Sequence, residues 1–474
     1  MSQSRKQFLK STCLLIGAGA LLKHKAFSNY YLPSCPEGFC NYDLASVNNP
    51  PFSSVTIVAN KSYGNGTSPG DVKYNNENNG CINPSGITEC LTDDAELKYD
   101  VFYPAGYDFE TCPALPAVIY AHGGGYSDCS NRTTGGAVNY CREFAKRGFV
   151  TFNIGYRQGI KIDNLVPTGR SSVQQELGLY RAFQDVRGAI RSIIKDNSNM
   201  NNAYKFNPNT IFLAGSSAGS VAMLSAVFFP NQIAHINPIF PYSGSSTIEN
   251  ALGPINADYY YGESTINYLN KIKGVCNMWG SITLPEDVYT NNTEMSFFAD
   301  VTLRPVISFH GESDGTINYL FDDVITPPAT GHSAFVTEKN CLLTPSFKTQ
   351  PNSTLRTYGS KALFDRVLTP FNVFRELYLD SDADHGINMP NSNYGILVPV
   401  GSPPLSGSNV MTYIVARTAT FFQAILSGTA TYLNNHVNTA PFIHNVFEDS
   451  CNKRKKCEQF NTDGMSGDDC YFTF

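Results

Sequence analysis

The chain has 474 residues, 42% of them hydrophobic and 16% charged, with a formal net charge of −6. That is a globular composition, with enough length for a full core or for two or three domains, and it excludes a disordered chain. The one short basic run, Lys453-Arg454-Lys455-Lys456, is too little clustered charge for a phosphate-binding face, so nucleic acid is excluded as a partner.

In chain order the first element is an address. Residues 1–28 have a basic front end, an apolar stretch from Cys13 to Leu22, and the small residues Ala26 and Ser28 at the end. This is the pattern of a cleaved signal peptide. Ser4–Lys10 also resembles a twin-arginine signal, with Lys6 replacing the second arginine. The apolar stretch is too short to cross a bilayer, so a secreted or periplasmic protein with no stable membrane span is expected. The chain has thirteen cysteines, and Cys13 would leave with the signal. The remaining twelve form an even set, which predicts disulfides in an oxidising compartment. They contain no C-x-x-C pair and no Cys/His cluster at zinc spacing.

Residues 29–95 read as a loop-rich N-terminal extension carrying Cys35, Cys40, Cys81 and Cys90, with one β-like run at Ser54–Ala59. A regular rhythm then begins and defines a domain over 96–435. Strands are predicted at 97–104, 116–125 (ending in glycines), 148–157, 210–215, 235–244, 304–311 and 374–380. Helices are predicted around 138–147 and over 173–196, 218–229 and 411–426. Strands that are almost wholly apolar and separated by helices imply a parallel sheet covered on both faces, an α/β architecture. Two stretches, 245–303 and 319–358, interrupt the rhythm and read as insertions. The first, with Tyr259-Tyr260-Tyr261, is expected to fold over the strand ends as a cap. Residues 436–474 form a polar tail with Cys451, Cys457 and Cys470.

Between the strand at 210–215 and the helix at 218–229 lies Gly215-Ser216-Ser217-Ala218-Gly219, a G-x-S-x-G elbow in the context that such a nucleophile needs. A serine nucleophile requires a base, an acid to orient that base, and donors for an oxyanion. In open α/β sheets these belong at the C-terminal ends of strands. Ala121-His122-Gly123-Gly124-Gly125-Tyr126 ends one strand, and its glycines let backbone N–H groups approach a substrate oxygen. Gly124 and Gly125, with the amide of Ala218, are the expected oxyanion donors. "HGESDGTI" ends another strand and offers Asp314 as the acid, with Glu312 as the alternative. "DSDADHGI" ends a third and offers His385, the histidine that follows a strand downstream of Asp314. Asp380, Asp382 and Asp384 start like a calcium loop, but His385 stands where that loop needs glycine and Asn391 where it needs glutamate. Neither a metal nor a cofactor is expected.

The order Ser217…Asp314…His385, the motifs "AHGGGY", "NIGYR", "FQDVRGAIRSI", "GSSAGS" and "HGESDGTI", and the run "GSKALFDRV" leading to "ELYLDSDADHG" carry a resemblance. From Leu97 to about Leu426 the chain resembles the secreted α/β-hydrolase esterases, in particular the HGGG carboxylesterases of the hormone-sensitive-lipase-like and feruloyl- and xylan-esterase-like groups. The resemblance implies an eight-stranded, mostly parallel sheet and hydrolysis of a small-molecule or polysaccharide-linked ester without a cofactor. It also implies that Arg157 and Asp185 form a structural ion pair outside the site. The 71 residues between Asp314 and His385 exceed the family pattern, and the insertion at 319–358 accounts for the excess. A lipase or serine peptidase of the same fold, and a non-catalytic hydrolase-like binding protein, are the alternatives. The second of these typically loses its serine or histidine, and this chain keeps both.

Overall fold

The computed structural model describes residues 49–65, 96–126, 132–133, 135–157, 172–199, 202–229, 248–256, 268–285, 298, 303–312, 314, 316–323, 355–380, 383, 385–386 and 407–428. Its frame is an eight-stranded sheet of β1 (Val55–Asn65), β2 (Glu96–Pro104), β3 (Leu115–Ala121), β4 (Val150–Ile154), β5 (Phe206–Ser216), β6 (Ile272–Met278), β8 (Val306–Gly311) and β11 (Arg375–Asp380). The spatial order is β1-β2-β4-β3-β5-β6-β8-β11. The β1–β2 and β2–β4 pairs are antiparallel, and the pairs from β4 through β11 are parallel. The parallel strands point their C-terminal ends the same way, which brings the loops after β3, β5, β8 and β11 to one rim. The architecture is that of an α/β-hydrolase.

The helices are α1 (Gly135–Lys146), α2 (Ser172–Asp196), α3 (Ala218–Phe228), α4 (Ile248–Leu252) and α5 (Gly407–Ser427). The apolar runs read as buried strands are buried on both faces, and their side chains alternate between two core layers. Ala117, Ile119, Ala121, Ile211 and Leu213 join the layer under α2 and α3. Val118, Tyr120, Phe212 and Ala214 join the opposite layer, under α1 and α5. There Phe212 and Phe422 stack with ring centroids 4.0 Å apart, and Phe149 packs edge-on against both. Burying each such ring stabilises the fold by about 1.5–3 kcal/mol. Every residue of α3 is buried, as expected for a helix apolar on all sides and wedged between the sheet and α2. The segment 410–427 of α5 is apolar and long enough to cross a membrane, but half of it is buried, with Val410, Ile414, Val415 and Phe422 in the core.

Buried charges on α2 organise its surroundings. Arg157, just past β4, pairs with Asp185 at 2.6 Å, with neither side chain exposed to solvent. Gln184 donates to the carbonyl of Pro254, and Tyr180 to that of Gly253, tying down the chain after α4. Arg187 donates to the carbonyls of Ala226 and Phe229, satisfying acceptors that the C-terminal end of α3 leaves open.

Three expectations need correction. The β-like run at Ser54–Ala59 is a strand from Val55 on, but β1 belongs to the main sheet, at the edge beside β2, and not to a separate loop-rich extension. The stretch 245–303, read as a cap, supplies β6, a central strand between β5 and β8. Its sequence, Ile272-Lys273-Gly274-Val275-Cys276-Asn277-Met278, escapes notice because small and polar residues replace the β-branched run of a typical buried strand. The same stretch yields β7 (Ser281–Pro285), while 319–358 yields β9 (Phe321–Asp323) and β10 (Leu355–Gly359). These three form a second, antiparallel sheet in the order β7-β10-β9. The third correction concerns the cysteines. Cys141 on α1 and Cys276 on β6 are free thiols in the core, while Cys112 is disulfide-bonded. Burial pushes the Cys276 thiol up to about 12 and the Cys141 thiol up as well, so both are unreactive at neutral pH. The strand expected at 235–244 and the tyrosines 259–261 lie outside the described residues, as do residues 1–28 and 436–474.

Candidate active site

The elbow begins where β5 ends. Ser217 has φ 51° and ψ −126°, a backbone conformation that side-chain-bearing residues rarely adopt. Its amide donates to the carbonyl of Met278 at 2.9 Å, extending the β5–β6 pairing into the turn. The flanking glycines are required by space. A Cβ on Gly215 would lie 2.6 Å from the Ser220 nitrogen, and one on Gly219 would lie 2.3 Å from the carbonyl oxygens of Ala121 and His122. The turn therefore closes only with glycine at both positions. It leaves Ser217 at the N-terminal end of α3, where the helix dipole favours negative charge.

The glycine loop after β3 lies against this elbow. Gly124, Gly125 and Tyr126 have φ of 125°, 58° and 62°, a run of unusual conformations in which tyrosine is the exception to the glycine rule. The Tyr126 hydroxyl donates to the carbonyl of Ala218 at 2.9 Å, linking the loop that carries Gly124 and Gly125 to the residue that carries the third expected donor. His122 is buried, stacks on Tyr156 with centroids 4.5 Å apart, and has its Nδ1 2.7 Å from the Gly123 carbonyl. Burial pulls its pKa down to about 4, so it is neutral at neutral pH.

His385, in the loop after β11, has its Nε2 2.7 Å from Ser217 Oγ and its Nδ1 2.8 Å from Asp314 Oδ2. Asp314, past the end of β8, accepts the backbone N–H groups of Thr316 and Ile317 on Oδ1, each at 2.8 Å. Burial pushes its carboxyl up, but the charge of His385 and hydrogen bonds from His310 and His385 outweigh that, holding it well below the usual carboxylate range. Asp314 occupies the acid position opposite His385, and Glu312 is buried beside it. The arrangement thus brings together a serine, an imidazole and a carboxylate in a single line of hydrogen bonds.

Four further residues belong to this site and were not singled out from sequence. Tyr126 closes a quoted motif. His310 lies inside the strand predicted at 304–311, and Asn277 and Ser360 carry no signal in the sequence. The cue for His310 is its position four residues before Asp314, across a tight turn.

Residues 100–321 match the family BD-FAE, a family of α/β-hydrolase esterases. Among solved structures, the chain is similar to esterase 2 of Thermogutta terrifontis phosphonylated by sarin, at 15% identity and a TM-score of 0.40, covering 70% of this chain and 91% of that one. The same esterase with propionate bound matches at 15% identity and a TM-score of 0.37, covering 74% and 92%. Inhibited esterase B of Lactobacillus rhamnosis matches at 13% identity and a TM-score of 0.37, covering 80% and 90%. No curated protein matches the chain by sequence.

Proposed function

We propose that this chain, whose residues 100–321 match a family of α/β-hydrolase esterases, is a serine carboxylesterase working through an acyl-enzyme. The observation that carries this reading is the line Ser217 Oγ–His385–Asp314, with contacts of 2.7 and 2.8 Å. Ser217 Oγ attacks the ester carbonyl while His385 Nε2 takes its proton. Asp314 holds the imidazole in the tautomer with hydrogen on Nδ1 and stabilises the imidazolium that forms. The amides of Gly124, Gly125 and Ala218 stabilise the oxyanion. His385 then protonates the leaving alcohol, and a water activated by the same imidazole releases the acid.

The substrate we favour is a small-molecule or carbohydrate-linked ester with a short acyl or feruloyl group. We also read the chain as exported, on the signal pattern of residues 1–28, with disulfides among cysteines other than Cys141 and Cys276. The test is a panel of p-nitrophenyl acetate, p-nitrophenyl butyrate, methyl ferulate, acetylated xylan, an emulsified long-chain triglyceride and a peptide anilide. Ester turnover that Ser217→Ala abolishes, with no anilide cleavage, is the expected result. Turnover of the anilide would favour a peptidase, preference for the emulsion a lipase, and inertness toward every member a binding protein.

A further inference from the structure

The carboxylate that receives His385 also faces a second histidine. His310 is the penultimate residue of β8 and is buried, and its Nε2 lies 3.1 Å from Asp314 Oδ2, the same oxygen that accepts His385 Nδ1. That nitrogen is also 2.9 Å from the Ile317 carbonyl. Both neighbours are acceptors only, so Nε2 carries a hydrogen. On the other side of the ring, Nδ1 lies 2.6 Å from Ser360 Oγ. Ser360 Oγ in turn accepts from Asn277 Nδ2 at 3.0 Å, which leaves its hydroxyl hydrogen for Nδ1.

Asn277 is a fully used hub. Its Oδ1 accepts from Ser220 Oγ at 2.6 Å and from the Gly280 amide at 3.1 Å, and its Nδ2 donates to Ser308 as well as to Ser360. Ser220 stands three residues after the nucleophile, within the first turn of α3. A buried chain of hydrogen bonds thus runs from the elbow helix through β6 and Ser360 to His310 and the acid. It returns to Ser217 through His385.

We propose that His310 is a positioning residue of the triad, with Ser360 and Asn277 fixing its tautomer. The Asp314 carboxylate is enclosed on both oxygens: two amides donate to Oδ1, His385 Nδ1 donates to Oδ2, and the His310 Nε2–H, shared with the Ile317 carbonyl, lies 3.1 Å from the same Oδ2. The carboxylate therefore cannot rotate without breaking a bond in a buried site. A second donor on Oδ2 also lowers its basicity. When His385 takes the serine proton, the imidazolium Nδ1 hydrogen stays on nitrogen and is not passed to the acid. The proposal rests on the serine-hydrolase reading above.

The test uses the full chain, p-nitrophenyl acetate, and the downfield proton resonance of His385 Nδ1–H, assigned by its loss in Asp314→Asn. His310→Phe keeps the ring and removes both nitrogens, whereas His310→Gln returns a donor near the Nε2 position. His310→Phe should lower kcat on the order of tenfold to a hundredfold, with KM within about twofold, because the lost bond acts on charge developed in the transition state. It should also shift the His385 resonance. His310→Gln should recover kcat to within about threefold of wild type. Wild-type kcat in His310→Phe, an unmoved resonance, or His310→Gln as impaired as His310→Phe would each overturn the proposal. Where Phe at 310 prevents folding, His310→Asn, whose shorter amide falls short of Asp314, is held to the same criteria. Failure of the wild type on every ester would overturn the functional reading alone, since the resonance is measured without substrate.

Discussion

Around the end of β5, Ser217 and the proposed oxyanion donors are held by backbone: positive φ angles, glycines packed against carbonyls, and an amide bonded to the end of β6. Around the ends of β8 and β11, Asp314 takes two amides of its own turn, but its pairing with His385 is buttressed by side chains, His310, Ser360 and Asn277, drawn from three separate stretches of chain. Backbone geometry is local and tolerates almost no substitution. Side-chain networks are assembled over long sequence distances and can be tuned one bond at a time. The nucleophile half should therefore fail abruptly and the acid–base half by degrees.

The largest effect expected comes from Ser217→Ala, which should lower kcat by on the order of 10⁴ or more with folding intact. Ser216→Ala should be mild by comparison, since Ser216 Oγ faces the Tyr120 hydroxyl at 3.1 Å in the interior. An exchange of behaviour between the two variants in a steady-state assay would break the assignment of the elbow. On the other half, Asp314→Asn should lower kcat on the order of 10³–10⁴, because the amide favours the wrong tautomer of His385. A loss much smaller than that of His310→Phe would show that the histidine network, not the carboxylate, sets the imidazole.

Gly219→Ala probes backbone packing without touching any reacting group. Its Cβ would meet two carbonyl oxygens at 2.3 Å, so the loop after β3 or the helix must move. The expected cost is about 3 kcal/mol or more in urea denaturation, with activity lost alongside it. A tolerated alanine would mean that the elbow is less tightly closed than its backbone half requires. The smallest effect concerns His122, the titrating group of the donor loop. Unfolded, it takes a proton as pH falls below about 6.5, whereas folded it resists until about 4. Between those values the unfolded chain binds more protons, so stability falls as pH falls, by up to about 3 kcal/mol from this residue. His122→Asn should flatten that slope in denaturation curves taken between about pH 6.5 and 4.

The same contrast explains what was legible in the sequence. Glycines around Ser217 and after Ala121 announce themselves, because steric exclusion leaves a one-letter trace at fixed spacing. Asp314 and His385 were reached through chain order and strand ends, since nothing local marks a carboxylate that meets an imidazole 71 residues away. Asn277 and Ser360 were invisible for the same reason, as were Cys141 and Cys276 as unpaired thiols. Their roles depend on which strands lie side by side, and β6 hid in a stretch whose small residues imitate a loop. The strands buried on both faces, from Ala117 to Ala121 and from Ile211 to Gly215, were the easiest to read because apolar runs of that length have few other uses.

The position of β11 has a consequence for how such a chain is made. Among the described residues it is the last strand of the sheet in chain order and lies at its edge, hydrogen-bonded to β8. The imidazole that follows it comes 168 residues after the serine. At roughly 5–20 residues per second, a ribosome needs roughly ten to thirty seconds to cover that distance. During that interval the nascent chain already contains its elbow, its glycine loop and the helix behind them, yet lacks the proposed base that would arm the hydroxyl. On the proposed mechanism, the order of serine, acid and base along the chain acts as a safety catch, released when β11 docks.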